Sequence, residues 1–233
     1  MCGRYVHTSN VEALARLFGL SGPLPNTAPH WNATPGTNLP VVRLTPETGE
    51  RRLDALHWGL VPSWAKDRKI AWKLINARAE TVATTSAFRQ AFARRRCLVP
   101  ADAFYEWERR GRERLPWAFA MADRAPFAFA GLWEGWRRPD SDASGAAGEW
   151  LRSFTIVTTA ANPLVGRVHD RMPVILPPDA WDAWLGAAEA PADRLAAWLR
   201  PFPEAAMTAW PVSTRLNDGK IDDDPSLLDP VVR

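Results

Sequence analysis

Apolar and polar positions along the chain change period twice. Near the N-terminus, Asn10 precedes the run Val11-Glu12-Ala13-Leu14-Ala15-Arg16-Leu17-Phe18, and Gly19 follows it. That cap, amphipathic run and stop predict one short helix. A second helical period covers residues 87–95, with Ser86 placed to cap it and Phe88 and Phe92 at i,i+4 on one face. From Cys97 the period becomes two, predicting strands over residues 97–100, 103–108, 115–121 and 127–136, with a hairpin turn at Arg109-Arg110-Gly111-Arg112. Further strands are expected at 41–44, 53–60, 154–159, 174–176 and 210–212, and helices return over 178–185 and 192–199. The proline-rich stretch 21–40 reads as an ordered surface loop, and 141–148 as a flexible insertion. Strands in the middle with helices at both ends predict an α+β fold, a mostly antiparallel, barrel-like sheet flanked by helices. No boundary separates two cores, so residues 1–233 are read as one domain.

Composition narrows the classes. Hydrophobic residues make up 46% and charged residues 24% of the 233, a balance that argues against disorder over most of the length. No apolar run approaches the ~18 residues of a membrane span, and the first residues lack the apolar region of a secretory signal, so a cytoplasmic protein with no membrane partner is expected. Two cysteines, Cys2 and Cys97, make no disulfide framework and fit a reducing compartment. The four histidines (His7, His30, His57, His169) lack metal-ligand spacing, and no glycine-rich phosphate loop occurs. Neither a metal nor a cofactor is therefore expected. Charge is uneven: residues 51–100 carry 11 basic and 3 acidic side chains, residues 201–233 carry 3 and 6. A basic segment interleaved with tryptophan is compatible with a nucleic-acid backbone as partner.

Four places can carry chemistry. A small second residue permits removal of Met1, which would make Cys2 the terminus, with an amine and a thiol on one residue. Against an aldehyde, that pair forms an imine and then a five-membered thiazolidine. Asn76 lies in an apolar-flanked segment where its amide can hold a carbonyl or an amine, and Arg78 points the same way if the segment is extended. Both can equally cap a following helix. Glu106 alternates with Tyr105 and Trp107 along a strand, so it faces away from both: toward solvent, or into a cleft where burial raises its pKa and suits it to proton transfer. His169 sits in the polar cluster Arg167-Val168-His169-Asp170-Arg171, a setting that suits a group working on a reacting oxygen. Cys97 reads as a buried small hydrophobe. Trp64, beside Lys66, Arg68 and Lys69, stands where a base can stack.

Seven segments in order resemble the SRAP family, the SOS-response-associated, abasic-site processing proteins. They are Met1-Cys2-Gly3-Arg4-Tyr5, Trp31-Asn32-Ala33-Thr34-Pro35-Gly36-Thr37, Trp58-Gly59-Leu60-Val61-Pro62-Ser63-Trp64, Leu74-Ile75-Asn76-Ala77-Arg78-Ala79-Glu80-Thr81, Phe104-Tyr105-Glu106-Trp107, Ile156-Val157-Thr158-Thr159-Ala160-Ala161 and His169-Asp170-Arg171-Met172-Pro173. The resemblance covers nearly the whole chain. It implies a monomeric protein that binds single-stranded DNA containing an abasic site and joins Cys2 covalently to the sugar aldehyde, associating with the nucleoid when bound. In that reading Cys2, Asn76, Glu106 and His169 are the catalytic set: Asn76 positions the Cys2 amine, Glu106 moves protons, and His169 opens the sugar ring. Arg4, Arg78, Thr158 and Arg171 hold phosphates, while Pro35 and Trp64 pack against neighbouring bases. Weak lyase activity and self-removal of Met1 are also implied. Ala65 stands where relatives often carry a second aromatic, which leaves Trp72 as another stacking residue. Two other readings remain open here: an N-terminal cysteine amidohydrolase of the glutaminase kind, and a non-covalent single-strand binder.

Overall fold

The computed structural model describes residues 2–45, 47–137, 150–186, 192–218, 221 and 223–232. In chain order the elements are β1 (Tyr5–His7), α1 (Val11–Phe18), β2 (His30–Ala33), β3 (Asn38–Leu44), β4 (Arg51–Trp58), β5 (Asn76–Arg78), α2 (Arg89–Arg94), β6 (Arg96–Ala101), β7 (Ala103–Arg110), β8 (Glu113–Met121), β9 (Phe127–Arg137), β10 (Trp150–Ala160), α3 (Pro163–Gly166), β11 (Arg171–Pro173), β12 (Ile175–Leu176), α4 (Trp181–Leu185), α5 (Ala192–Ala197) and β13 (Met207–Pro211), with short 3-10 turns between them.

Strands β4, β3, β6, β9 and β10 pair in a ring, because β10 bonds to both β9 and β4 and so closes a five-stranded barrel. Closure removes the free edges that an open sheet would leave. All pairings are antiparallel except β10 with β4 and with β5. A second, antiparallel sheet runs β13-β8-β7-β1-β2. One apolar cluster joins the two layers: Trp58, Phe129, Phe154 and Ile156 of the barrel pack with Tyr5, Phe104 and Phe119 of the second sheet, and Cys2 lies among them. The α+β, barrel-centred architecture expected from the periodicity is the one observed.

Local signals were read correctly where they are self-contained. Asn10 caps α1 through a bond from the Ala13 N–H, and Gly19 ends it at φ 60°. Eight residues are marginal as an isolated helix. Burial of Leu14 and Phe18, worth roughly 1.5–3 kcal/mol each, and the Phe18–Trp181 ring contact at 4.6 Å hold it in place.

Other expectations need correction. Residues 21–40 are not loop throughout, since β2 pairs with β1 through Tyr5↔Ala33 and His7↔His30, and β3 begins at Asn38. Ser86 does not cap α2, whose N-cap is Phe88 with no side-chain bond, although Phe88 and Phe92 are both buried as expected. The strand read over 53–60 ends at Trp58, because Gly59 turns at φ 124° and packs 2.9 Å from the Ala71 carbonyl, measured from where a Cβ would sit. The insertion at 141–148 and Met1 lie outside the described residues.

Candidate active site at the amino-terminal strand

The site begins with a register. Strand β1 pairs antiparallel with β7 through Tyr5↔Phe104 and Val6↔Ala103, and the Tyr105 N–H donates to the Arg4 carbonyl at 3.1 Å. Carried on by two residues, that register sets Gly3 opposite Glu106. Alternation along β7 sends Tyr105 and Trp107 to one apolar cluster and Phe104 to the other, where Cys2 lies. Glu106 shares the Phe104 face, so it points toward the Cys2 side and is only 2% exposed.

Above this pair opens a cavity of about 360 Å³, lined by Gly3, Arg4, Glu106, Trp107, Arg109, Arg114 and His169 with Leu216 and Asn217. Burial lifts the Glu106 carboxyl above the ordinary carboxylate range. Cys2 is fully enclosed, and its thiol is pushed far above the usual thiol range by burial and then by the Glu106 charge. Burial thus favours the neutral thiol over the thiolate at this position.

His169 follows α3, and its N–H bonds to the Val165 carbonyl at 3.0 Å. The apolar residues around it, Val165, Val168 and Met172, pack in the cluster that holds Cys2, which is how a loop imidazole is fixed. The Arg171 N–H donates to Nδ1 at 3.0 Å, and the Asp170 carboxylate lies 3.0 Å from the same nitrogen. One nitrogen cannot accept from an N–H and donate to a carboxylate together. In the neutral ring Nδ1 accepts and Nε2 carries the proton; when the ring is protonated Asp170 becomes the partner of Nδ1. In both of these states Nε2–H is a donor, whereas the other neutral tautomer, with Nδ1–H on Asp170, makes Nε2 an acceptor.

Asn76 lies on the barrel beside residues of the Cys2 cluster, outside the cavity lining. Strand β5 runs parallel to β10 with Asn76↔Ile156 and Arg78↔Thr158, and Ile156 with Ile75 belongs to the Cys2 cluster. The Asn76 amide donates to the Ile156 carbonyl at 3.5 Å, while its Oδ1 is buried with no hydrogen-bond partner. Such an acceptor is costly unless something donates to it.

The remaining residues separate by exposure. Arg4 lines the cavity and donates to Asn32 Oδ1 at 2.7 Å, and Arg78 is exposed. Arg171 spans the Glu80 carboxylate at 2.6 and 3.0 Å and the Thr158 carbonyl at 2.7 Å; the Arg171 bonds hold the Glu80 carboxyl below the ordinary carboxylate range. Thr158 is fully buried, its hydroxyl 3.5 Å from the Ala77 carbonyl. Arg171 is therefore the group through which Thr158 meets the surface. Trp64 is 58% and Trp72 67% exposed. Gly36, which follows Pro35, turns at φ 91°, and a Cβ there would sit 2.9 Å from the Trp72 ring. Ala65 is buried, its carbonyl held by the Trp136 indole at 2.7 Å. Of the predicted site residues Arg4, Glu106 and His169 line the cavity; Cys2, Pro35, Trp64, Asn76, Arg78, Thr158, Arg171 and also Trp72 do not. Trp107, Arg109 and Arg114 also line the cavity, and their trace in the sequence is the arginine-rich hairpin that reads there as a turn. Among the described residues no group of three or more His, Cys, Asp or Glu is placed to hold a metal. No helix among them is long and apolar enough to cross a membrane.

A closed mixed barrel joined to an antiparallel sheet, with Cys2 and the buried Glu106 carboxyl where they meet, defines a fold class with known members. The chain belongs to the SOS response associated peptidase (SRAP) family, whose model matches residues 1–219. It is 37% identical over 232 residues to the abasic site processing protein YoqW of Bacillus subtilis, covering 98% of this chain and 99% of that one. It is 30% identical to the abasic site processing protein YedK of Escherichia coli over 79% of each chain. It is also 30% identical to the abasic site processing protein HMCES of Xenopus tropicalis, over 82% of this chain and 63% of that one. A crystal structure of a Bordetella bronchiseptica protein superposes with TM-score 0.74 at 33% identity, covering 91% and 100% of the two chains. One from Bacteroides thetaiotaomicron superposes with TM-score 0.86 at 23% identity, covering 99% and 100%, a likeness of fold.

Proposed function

We propose that this chain processes abasic sites in single-stranded DNA by covalent capture through Cys2, after Met1 has been removed. The observation that carries the reading is the buried Glu106 carboxyl on the Cys2 face of β7, at the floor of a cavity that Arg4 and His169 also line. The family relation supports it, since the curated relatives are named for abasic-site processing.

In this reading, Nε2–H of His169 donates to the ring oxygen of the closed sugar and helps expose the C1′ aldehyde. The Cys2 amine, held toward the buried Oδ1 of Asn76, attacks C1′ and water leaves, giving an imine. Sγ then adds to the imine carbon while its proton passes, by way of Glu106, to the nitrogen. The product is a thiazolidine, and one water is lost overall. Arg4, Arg78 and Arg171 supply phosphate contacts, with Thr158 supporting Arg171. Pro35, Trp64 and Trp72 face the neighbouring bases. An imine that escapes sulfur capture proceeds to strand cleavage by β-elimination, hence weak lyase activity.

The test is an oligonucleotide with one abasic site, incubated with purified protein and run on a denaturing gel. A retarded band that disappears with Cys2→Ala supports capture. Glutamine hydrolysis without a band would favour an amidohydrolase, and binding seen only on native gels a non-covalent binder. Mass spectrometry of the reactive species must show a chain beginning at Cys2.

A further inference from the structure

The cavity does not end at the reacting groups. It adjoins a second depression of about 470 Å³, lined by Arg112, Glu113, Arg114, Leu115, Thr214 and Asn217, and the two share Arg114 and Asn217. Arg109 and Arg114 are exposed on the two arms of the β7–β8 hairpin and Arg112 in its turn, beside Gly111 at φ 60°. Among the described residues none of the three makes an ion pair, whereas neighbouring Arg110 is held by Glu108 at 2.6 Å. Arg4 lies close enough to Arg114 for their charges to oppose one another. Glu113 lines the same depression but makes no ion pair with them, and three exposed guanidiniums beside Arg4 leave a net positive patch that favours an anion. The hairpin is also braced. The Trp107 indole donates to Asn217 Oδ1 at 2.7 Å, the Asn217 amide donates to the Arg114 carbonyl at 2.9 Å, and the Arg114 guanidinium lies 5.4 Å from the Trp107 ring centroid.

We propose that this hairpin is a phosphate track: Arg109, Arg112 and Arg114 take the backbone of one flank of a nucleic-acid strand as it leaves the reactive cavity, over the half-buried Trp107. This rests on the reading of the cavity as a DNA-lesion site. Guanidinium forks suit phosphate oxygens, and their exposure makes the contribution salt-dependent.

The test uses the full chain and a lesion-free single-stranded oligonucleotide, with affinity measured by fluorescence anisotropy over a range of salt. The triple variant Arg109→Gln, Arg112→Gln, Arg114→Gln is expected to lower the slope of log affinity against log salt by about 2, at ~0.7 per lost contact on a single strand. A control removing three exposed arginines from α1 and α2 (Arg16→Gln, Arg89→Gln, Arg94→Gln) is expected to leave the slope unchanged. Arg112→Glu alone, at the hairpin turn, reports the track independently of any packing change and should also lower the slope. A parent-like slope in both hairpin variants, or an equal fall in the control, overturns the track. With an abasic oligonucleotide, the parent should crosslink more slowly when one flank is trimmed to the lesion, and the triple variant should lose that dependence. If no crosslink forms with any DNA but the hairpin slope falls, covalent capture fails and the track stands. A crosslink with an unchanged slope gives the reverse.

Discussion

Cys2 and Cys97 lie in the same apolar cluster, both fully buried, and burial pushes both thiols above their ordinary range. Their surroundings differ. Cys97 is the second residue of β6, opposite Gly131 of β9, and its sulfur sits 2.7 Å from where a Gly131 Cβ would be. The nearby charge acting on it is the Arg43 cation. Cys2 precedes a cavity-lining glycine and feels the charge of a buried carboxyl. Burial alone therefore does not separate the two sulfurs. The charge each one faces does: the Glu106 carboxyl for Cys2 and the Arg43 cation for Cys97. The Tyr5 hydroxyl lies within electrostatic reach of both sulfurs and has no hydrogen-bond partner, so it belongs to neither role by bonding.

The largest expected effect divides the two cysteines outright. Cys2→Ala should abolish the crosslink on a denaturing gel, while Cys97→Ala should keep it and lose about 1 kcal/mol in urea denaturation. A crosslink that survives Cys2→Ala, or vanishes with Cys97→Ala, breaks the comparison.

Next comes the carboxyl that marks the Cys2 side. Glu106→Gln should slow crosslinking about 100-fold or more and remove the acid-side limb of its pH profile, read by single-turnover time courses. Stability should move the other way. The folded carboxyl holds its proton to higher pH than the unfolded one, so stability falls as pH rises from the ordinary carboxylate range to the raised value of Glu106, and glutamine abolishes that fall.

On the Cys97 side, Gly131→Ala forces a methyl against the Cys97 sulfur and within 2.9 Å of Val99 Cγ2. A cost of about 1–3 kcal/mol is expected in urea titration, with the crosslink retained by folded protein. The smallest effect should be Tyr5→Phe, which deletes an unbonded buried hydroxyl and should be neutral or stabilising by up to about 1 kcal/mol in the same titration.

What could be read in advance follows from the range of each signal. Helix α1, the β7–β8 hairpin and the long strands carry their own caps, turns and alternation, so they were legible. Strands β1, β5 and β11 have three residues each, fewer than two periods, and exist because partners pair with them. The same limit applied to the site. Alternation on β7 already placed Glu106 opposite Tyr105 and Trp107, but whether that face met water or a cavity depended on β1, about a hundred residues earlier in the chain. The arginines of the hairpin are solvated in the fold as their sequence implies, and only the distant segment carrying Asn217, bonded to the Trp107 indole and the Arg114 carbonyl, fixes the hairpin beside the cavity.

The sequence by itself determined the residue types able to form and capture an imine, the order of the elements and the faces each strand presents, because these depend on neighbours a few positions apart. Only the tertiary structure decided that the ring of strands closes, that the Glu106 face is buried beside Cys2, and that one imidazole of four points into their cavity. Those facts depend on pairings between distant segments, and burial and local charge, which set the chemistry, arise only once such segments meet.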